Sequence, residues 1–112
     1  MGELSVADIV FVSFPFPDLS HAKLRAALVL AYAQRNDWIL CQITSKSYND
    51  NKAILIDETD YKNGGLNLVS FVRPGKLFTA NVELINKNVA TLKDAAHEKV
   101  INVILLMLKN GR

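Results

Sequence analysis

Short apolar runs, separated by turn-forming residues, limit the folds open to this chain more than any other feature. Three such runs span residues 7–14, 25–32 and 38–45, and shorter ones follow at 53–56, 66–72, 77–79 and 89–92. Before the run at 66–72, Asn63-Gly64-Gly65 predicts a turn with positive φ. In the first run, apolar side chains would occupy both faces of a strand, which is typical of a strand buried on both sides. The pattern predicts a small, mainly antiparallel, barrel-like β fold of six or seven strands.

The C-terminal segment has the periodicity of a helix. Apolar residues recur on one helical face at positions 96, 100, 103, 104 and 107, and those at 101, 105 and 108 widen that face. Either Lys93 or Asp94 would be the N-cap. A helix this apolar either lies deep in the core or offers a surface to a partner, because a chain of 112 residues has little room to bury a helix on every side.

The composition fits one domain, which we expect to span residues 1–112. Hydrophobic residues make up 50% of the chain, and no linker-like stretch divides it. The single cysteine, Cys41, excludes an internal disulfide and favours a reducing compartment. The first residues lack the pattern of a signal peptide, and the longest apolar run is too short to span a bilayer. We therefore expect a cytoplasmic protein with no membrane association.

The charges are unevenly distributed along the chain. The net charge of +2 is too small to indicate nucleic-acid binding by itself. Between Leu19 and Ser47, however, a single acid, Asp37, accompanies four basic residues: Lys23, Arg25, Arg35 and Lys46. The acids collect later, at positions 57, 58 and 60. The chain thus has a basic region followed by an acidic one.

The residues that could bind a metal show no ligand spacing. The two histidines and the cysteine stand at positions 21, 97 and 41, and their separations match no structural zinc site. We expect no metal and no cofactor. Basic groups and hydroxyls remain at predicted strand ends and adjoining loops, and such groups suit a phosphodiester; they are His21, Lys23, Arg25, Thr44, Ser45, Lys46, Arg73 and Lys76.

Arg25 is the most informative of these residues. It lies where a polar, basic loop enters an apolar strand, so its guanidinium would be held by a rigid element and still meet solvent. A solvated charge at a strand end is the simpler alternative. RNA cleavage needs no metal when the ribose 2′-hydroxyl attacks its own phosphate, because the nucleophile is already tethered. The protein must then orient that hydroxyl, move two protons and stabilise the developing charge.

Three motifs resemble those of the PemK/MazF toxins. The first comprises DIVFV at 8–12, FPFPDLS at 14–20 and KLRAALVL at 23–30, the second is LCQITS at 40–45, and the third is FVRPGKLFT at 71–79. The resemblance follows nearly the whole chain in order. It implies a small SH3-like antiparallel β-barrel with a C-terminal helix, a homodimer and a cognate antitoxin protein. It also implies metal-independent cleavage of single-stranded RNA at short sequences, leaving a 2′,3′-cyclic phosphate and a 5′-hydroxyl.

The resemblance also implies roles for individual residues. The family's catalytic arginine matches Arg25, and its catalytic threonine matches Thr44. A guanidinium stays protonated at neutral pH and is a poor base, so we assign Arg25 to transition-state charge and Thr44 to a hydrogen bond on the phosphate or the 2′-hydroxyl. The candidates for substrate binding are His21, Lys23, Ser45, Lys46, Arg73 and Lys76. His21 could also carry a proton near neutral pH, and Tyr48 could stack a base.

One position departs from the family pattern. Ala26 stands where proline commonly follows the catalytic arginine. Proline would favour an extended backbone at Arg25, and we expect the strand itself to hold that conformation. Two alternatives to an endoribonuclease therefore stay open: a toxin of the related CcdB type that binds DNA gyrase without catalysis, and an inactive homologue that only binds antitoxin. The presence of both Arg25 and Thr44 favours cleavage.

Overall fold

An antiparallel sheet and a C-terminal helix make up the part of the chain that the computed structural model describes. The description covers residues 4–15 and 22–112, without the side chains of residues 14, 15, 22 and 23. The strands are β1 (Asp8–Pro15), β2 (Ala22–Tyr32), β3 (Asp37–Thr44), β4 (Ile54–Ile56), β5 (Tyr61–Gly64), β6 (Ser70–Asn81) and β7 (Ile85–Leu92), and the helix is α1 (Asp94–Asn110). Across the sheet their order is β4-β6-β3-β2-β1-β7-β5. The predicted mainly β fold with a terminal helix is confirmed.

The central strands separate two apolar clusters, one on each face of the sheet. The first contains residues from β1, β2, β3 and the helix, among them Ile9, Leu28, Cys41, Val100 and Ile104. The second contains their alternating neighbours, which are Val10, Val12, Ala27, Val29, Leu40, Ala80 and Ile85. Because successive side chains of a strand point to opposite faces, the doubly apolar runs of the sequence bury both faces of β1, β2 and β3.

Two predicted strand boundaries are wrong. The segment expected as a strand at 66–72 is extended only from Ser70, and the residues before it form a bend. The strand was also expected to end at Arg73, whereas β6 continues through Pro74 to Asn81. A register shift lies between Cys41 and Ile43 of β3, where β6 has four residues opposite one. This bulge accommodates a proline that cannot donate to a regular ladder.

A further strand occupies a position where only a turn was expected. β5 runs from Tyr61 to Gly64 and pairs with β7 at the edge of the sheet. Gly64 has the positive φ, 65°, that the Asn-Gly-Gly sequence predicted. The backbone conformation was therefore anticipated correctly, while the strand that contains it was not.

The helix packs on the sheet through one face and exposes others. Lys93 is the N-cap, and the Gly111 N–H donates to the Met107 carbonyl at the C-terminal end (2.8 Å). Val100 and Ile104 are buried against the sheet, whereas Leu105, Leu106 and Leu108 are exposed. The structure thus combines the two expectations for this segment, a core contact and an apolar outer surface. Within the described residues, no helix is long and apolar enough to cross a membrane.

Candidate active site

Arg25 and Thr44 come together because β2 and β3 are antiparallel neighbours. Ala26 pairs with Ile43 in this ladder, and Arg25 and Thr44 are the next residues of the two strands beyond that pair. Residues opposed in this way project from the same face of a sheet. On the other side of β2, Arg25 lies opposite Val12 of β1. Arg25 and Thr44 are both half-buried, so each is held by the sheet while part of it meets solvent.

The backbone beside Arg25 is fixed without a proline. Ala26 pairs with Phe11 of β1 and with Ile43 of β3. A residue paired in register on both sides has little conformational freedom, whichever side chain it carries. The extended backbone that we expected next to Arg25 is therefore present.

The Thr44 hydroxyl is oriented where the chain leaves the sheet. Its Oγ1 accepts a hydrogen bond from the Lys46 N–H (3.2 Å), which turns the backbone at the end of β3. A hydroxyl that accepts one hydrogen bond can still donate another through its own hydrogen, for example to a phosphate oxygen. Ser45 and Lys46 are exposed in the same turn. Four of the predicted site residues, Arg25, Thr44, Ser45 and Lys46, thus lie together.

An uncharged pocket of about 220 Å³ adjoins Thr44. Its walls combine apolar side chains with amides and hydroxyls, contributed by Phe11, Ala26, Ile43, Thr44, Ser45, Leu66, Asn67, Leu68 and Ser70. The Ser70 hydroxyl donates to the Leu68 carbonyl (2.9 Å), which stabilises the bend that forms one wall. Asn67 is not among the predicted site residues, because it lies in the stretch predicted as a strand.

Gln42 is a second polar residue that the sequence analysis did not select. It lies two positions before Thr44 on β3 and therefore projects from the same face. Its side-chain carbonyl oxygen is buried and has no hydrogen-bond partner among the described residues. Buried polar atoms without partners are rare, and a ligand that donates a hydrogen bond would satisfy this one. Strand alternation alone places Gln42 on the face of Thr44, but the state of its side-chain oxygen is visible only in the folded structure.

Arg73 contacts the loop between β3 and β4. Its Nε donates to Asp50 Oδ2 (3.1 Å), and both side chains are only 17% exposed. Its guanidinium carbon lies 5.0 Å from the centre of the Tyr48 ring. The Lys52 N–H donates to the other Asp50 oxygen (3.0 Å), and this bond, followed by the contact with Arg73, lowers the pKa of the Asp50 carboxyl. Asp50 therefore offsets much of the charge that Arg73 adds to this region.

The remaining predicted residues are less closely associated with the site. Lys76 is exposed on β6, and β3 separates that strand from β2. The backbone of Lys23 pairs with Phe14 near the start of β2, but its side chain is outside the description. His21 lies outside the described residues altogether.

The groups that could serve a metal are dispersed or buried. Residues 4–15 and 22–112, where described, contain no cluster of three or more histidines, cysteines or carboxylates that could hold an ion. The Cys41 thiol donates to the Arg73 carbonyl (3.0 Å), and burial raises its pKa to about 12. Burial also lowers the pKa of His97 near the start of α1. Cys41 belongs to the apolar core, whereas His97 is half-buried at the start of the helix.

Comparison with known proteins identifies relatives at the level of family and fold. A family model described as the PemK-like, MazF-like toxin of type II toxin–antitoxin systems matches residues 5–108. A MazE-MazF structure from Deinococcus radiodurans superimposes with a TM-score of 0.77, at 15% identity and over 95% of this chain and 96% of that chain. The Mycobacterium tuberculosis toxin MazF-mt6 gives a TM-score of 0.70, at 16% identity and over 91% and 96% of the respective chains.

A third similar structure is an endoribonuclease in complex with its cognate antitoxin from a mycobacterial species. Its TM-score is 0.73, at 10% identity and over 97% of this chain and 96% of that chain. At such identities the superpositions establish the fold alone. A comparison with curated protein sequences gave no significant match.

Proposed function

This chain belongs to the PemK-like, MazF-like toxins of type II toxin–antitoxin systems, and from that premise we propose that it is an endoribonuclease that cleaves single-stranded RNA at short sequences. The observation that carries the proposal is the β2–β3 register, in which Arg25 and Thr44 follow the pair formed by Ala26 and Ile43. A cation and an oriented hydroxyl on one strand face are suited to a phosphate group.

The proposed reaction is an internal transfer without a metal. The ribose 2′-oxygen attacks the adjacent phosphorus, the bond to the 5′-oxygen breaks, and the products are a 2′,3′-cyclic phosphate and a 5′-hydroxyl. The proton lost by the 2′-hydroxyl passes to a base, and the leaving 5′-oxygen gains one. Arg25 stabilises the charge on the phosphorane oxygens, and Thr44 donates a hydrogen bond to the phosphate or orients the 2′-hydroxyl. His21 is our candidate for proton transfer.

We further propose that the toxin is a cytoplasmic homodimer with a cognate antitoxin. One of the similar structures is an endoribonuclease in complex with its cognate antitoxin, and another is a MazE-MazF structure. The exposed leucines of α1 provide apolar surface of the kind that protein partners cover. Light scattering of the purified chain, alone and with the antitoxin, measures both associations. A monomeric mass at micromolar concentration would contradict the dimer.

The decisive experiment is cleavage of a mixed-sequence single-stranded RNA in EDTA. We expect discrete cuts by the wild type and a loss of about 100- to 1000-fold in Arg25→Ala, as for removal of an oxyanion donor. Arg35→Ala is the matched control, because Arg35 is exposed in the turn at the opposite end of β2. An RNA with a 2′-deoxy nucleotide at the mapped scissile position should resist cleavage.

Each outcome of this experiment separates the alternatives. Cleavage by Arg25→Ala at the wild-type rate would show that the site is wrong. If the wild type cuts no RNA, the enzyme hypothesis fails. Gyrase inhibition would then indicate the CcdB type of toxin, and antitoxin binding alone would indicate an inactive homologue.

A further inference from the structure

The Tyr48 ring is supported from the sheet by a series of contacts. Arg73, on β6, donates to the Asp50 carboxylate (3.1 Å), and its guanidinium carbon lies 5.0 Å from the centre of the Tyr48 ring. Arg73 and Asp50 are nearly buried, yet Tyr48 is 56% exposed. The guanidinium lies over one face of the ring, and more than half of the residue stays accessible. The chain thus holds an aromatic surface in place without burying it.

The loop that carries Tyr48 is ordered by its own hydrogen bonds. The Asp50 N–H donates to the Ser47 carbonyl (2.9 Å), and the Ala53 N–H donates to the Asp50 carbonyl (3.1 Å). Tyr48 and Asn49 have φ values of 55° and 56°. Residues other than glycine seldom adopt this left-handed conformation, and where they do, the strain is often associated with a binding site. The hydrogen bond between Asp50 and Ser47 closes a turn around Tyr48 and Asn49, which fixes the backbone that carries the exposed ring.

The same loop connects Tyr48 to the candidate active site. It leaves β3 at Thr44, whose Oγ1 accepts the Lys46 N–H, and Tyr48 lies four residues after Thr44. Arg73 follows Val72, which pairs with Ile43 beside Thr44. Arg73 thus lies two residues along β6 from Phe71, the partner of Thr44, so the loop and β6 both connect the ring to the end of β3.

We propose that Tyr48 is a stacking platform for an unstacked base of the RNA, close to the nucleotide whose phosphate lies at Arg25 and Thr44. Arg73 and Asp50 are positioning residues that fix the ring. Every base has a π face, so an exposed and immobilised aromatic ring binds single-stranded RNA without a base-specific hydrogen bond. This inference rests on the proposed function, because it requires RNA to occupy the neighbouring site.

The first test measures binding of an RNA that cannot be cleaved. Wild-type cleavage is mapped first, and the RNA then carries a 2′-deoxy nucleotide at the scissile position and 2-aminopurine beside it. We expect Tyr48→Phe to bind like the wild type and to quench 2-aminopurine fluorescence equally. Tyr48→Leu should lose the quenching and bind roughly 5- to 100-fold more weakly, as for loss of one stacked base.

Tyr32→Leu is the matched control. Tyr32 is also exposed, but it lies at the end of β2 away from Arg25, where its ring contacts Trp38 with a 5.2 Å separation of centroids. Thermal unfolding establishes that each variant is folded. Equal losses in Tyr48→Leu and Tyr32→Leu would overturn the proposal. An equal loss in Tyr48→Phe would assign the contact to the hydroxyl and would also overturn it.

The second test asks whether Arg73 acts through Tyr48 or contacts the RNA itself. If it positions the ring, Arg73→Gln weakens binding in the wild-type background and has less than a two-fold effect in Tyr48→Leu, because the two residues then act as a unit. Arg73→Lys should also lose most of the quenching, since an ammonium lacks the planar group that covers the ring. If the losses from Arg73→Gln and Tyr48→Leu multiply in the double variant, and Arg73→Lys binds RNA like the wild type, Arg73 contacts a phosphate instead.

Failure of this inference is distinguishable from failure of the proposed function. If the wild type neither cuts nor binds RNA, the function itself is wrong. If the wild type cuts RNA while Tyr48→Leu keeps full affinity and quenching, the function stands and the platform is wrong.

Discussion

At the scale of single residues, the Thr44 hydroxyl offers the simplest test of the chemistry. Its Oγ1 accepts the Lys46 N–H, and the hydroxyl can still donate its own hydrogen to a ligand. We expect Thr44→Val to lower kcat by about 10- to 100-fold, which corresponds to one hydrogen bond to a charged group. Thr44→Ser keeps the hydroxyl and should retain most activity. Single-turnover cleavage measures both variants, and similar losses in the two would contradict a role for the hydroxyl.

Cys41 predicts a specific alkaline instability. Burial raises the pKa of its thiol from 9.0 to about 12 in the folded state. The stability that this shift represents is complete below pH 9.0 and is lost as pH rises toward the folded pKa, because only the unfolded state then gains by ionising. The wild type should lose about 2 kcal/mol more than Cys41→Ala between pH 7 and 10.5. Urea unfolding at several pH values measures this difference, and parallel pH profiles would show that the thiol is not the cause.

Local sequence predicted some site residues better than others. Arg25 and Thr44 stand at the ends of long apolar runs, so their placement on adjacent strands follows from simple antiparallel pairing. The partners of Arg73 could not be read in this way, because the ion pair with Asp50 depends on how the β3–β4 loop folds back onto β6. Gln42 is a similar case, since its missing hydrogen-bond partner is a property of the three-dimensional surroundings.

At the scale of elements, β5 depends on a single glycine. Gly64 has a φ of 65°, and a Cβ atom there would collide with the Val89 carbonyl oxygen of β7. We expect Gly64→Ala to destabilise the protein by at least about 2 kcal/mol, because the backbone of an edge strand would have to move. Gly65→Ala is the control, since its Cβ would meet only the Tyr61 ring at 3.5 Å. Urea unfolding should separate the two variants, and equal midpoints would show that the edge strand adapts.

Strand boundaries were predictable where propensity and pairing agree. β1, β2 and β3 contain long apolar runs and appear nearly where the sequence placed them. β5 has the sequence YKNG, which has little strand propensity, and it forms because β7 offers a free edge. Conversely, Pro74 and Gly75 predict an end to a strand, but a bulge lets β6 continue past them. In both cases tertiary pairing overrides the local preference.

At the scale of the whole molecule, the sheet has to curl. β6 pairs with β3, and the next strand, β7, pairs with β1 on the other side of β2. A single short 3₁₀ turn, Val82–Leu84, makes this connection. The two ends of the sheet therefore approach each other around the cluster that contains Val29 and Leu40. The number of apolar runs predicted the fold class, but this closure follows from pairings between residues far apart in the sequence.

The helix packs on the opposite face of the sheet, and this contact leads to a prediction about overall stability. Ile104 is 6% exposed and packs with Val100 against the sheet, whereas Leu108, one turn further along, is 68% exposed. Ile104→Ala should lower the free energy of unfolding by about 2–5 kcal/mol, because it leaves a cavity between the helix and the sheet. Leu108→Ala should change it by less than about 0.5 kcal/mol in dilute monomer.

Protein concentration makes this comparison more informative. Burial within one chain predicts that the Ile104→Ala deficit is the same at every concentration, since no association is involved. If partner contacts cover Leu108, the free energy of unfolding of Leu108→Ala is lower than that of the wild type only at concentrations where the chains associate. Denaturant unfolding from nanomolar to micromolar chain distinguishes the two contributions. A Leu108→Ala deficit equal to that of Ile104→Ala at the lowest concentration would mean that α1 packs on the sheet through a different face.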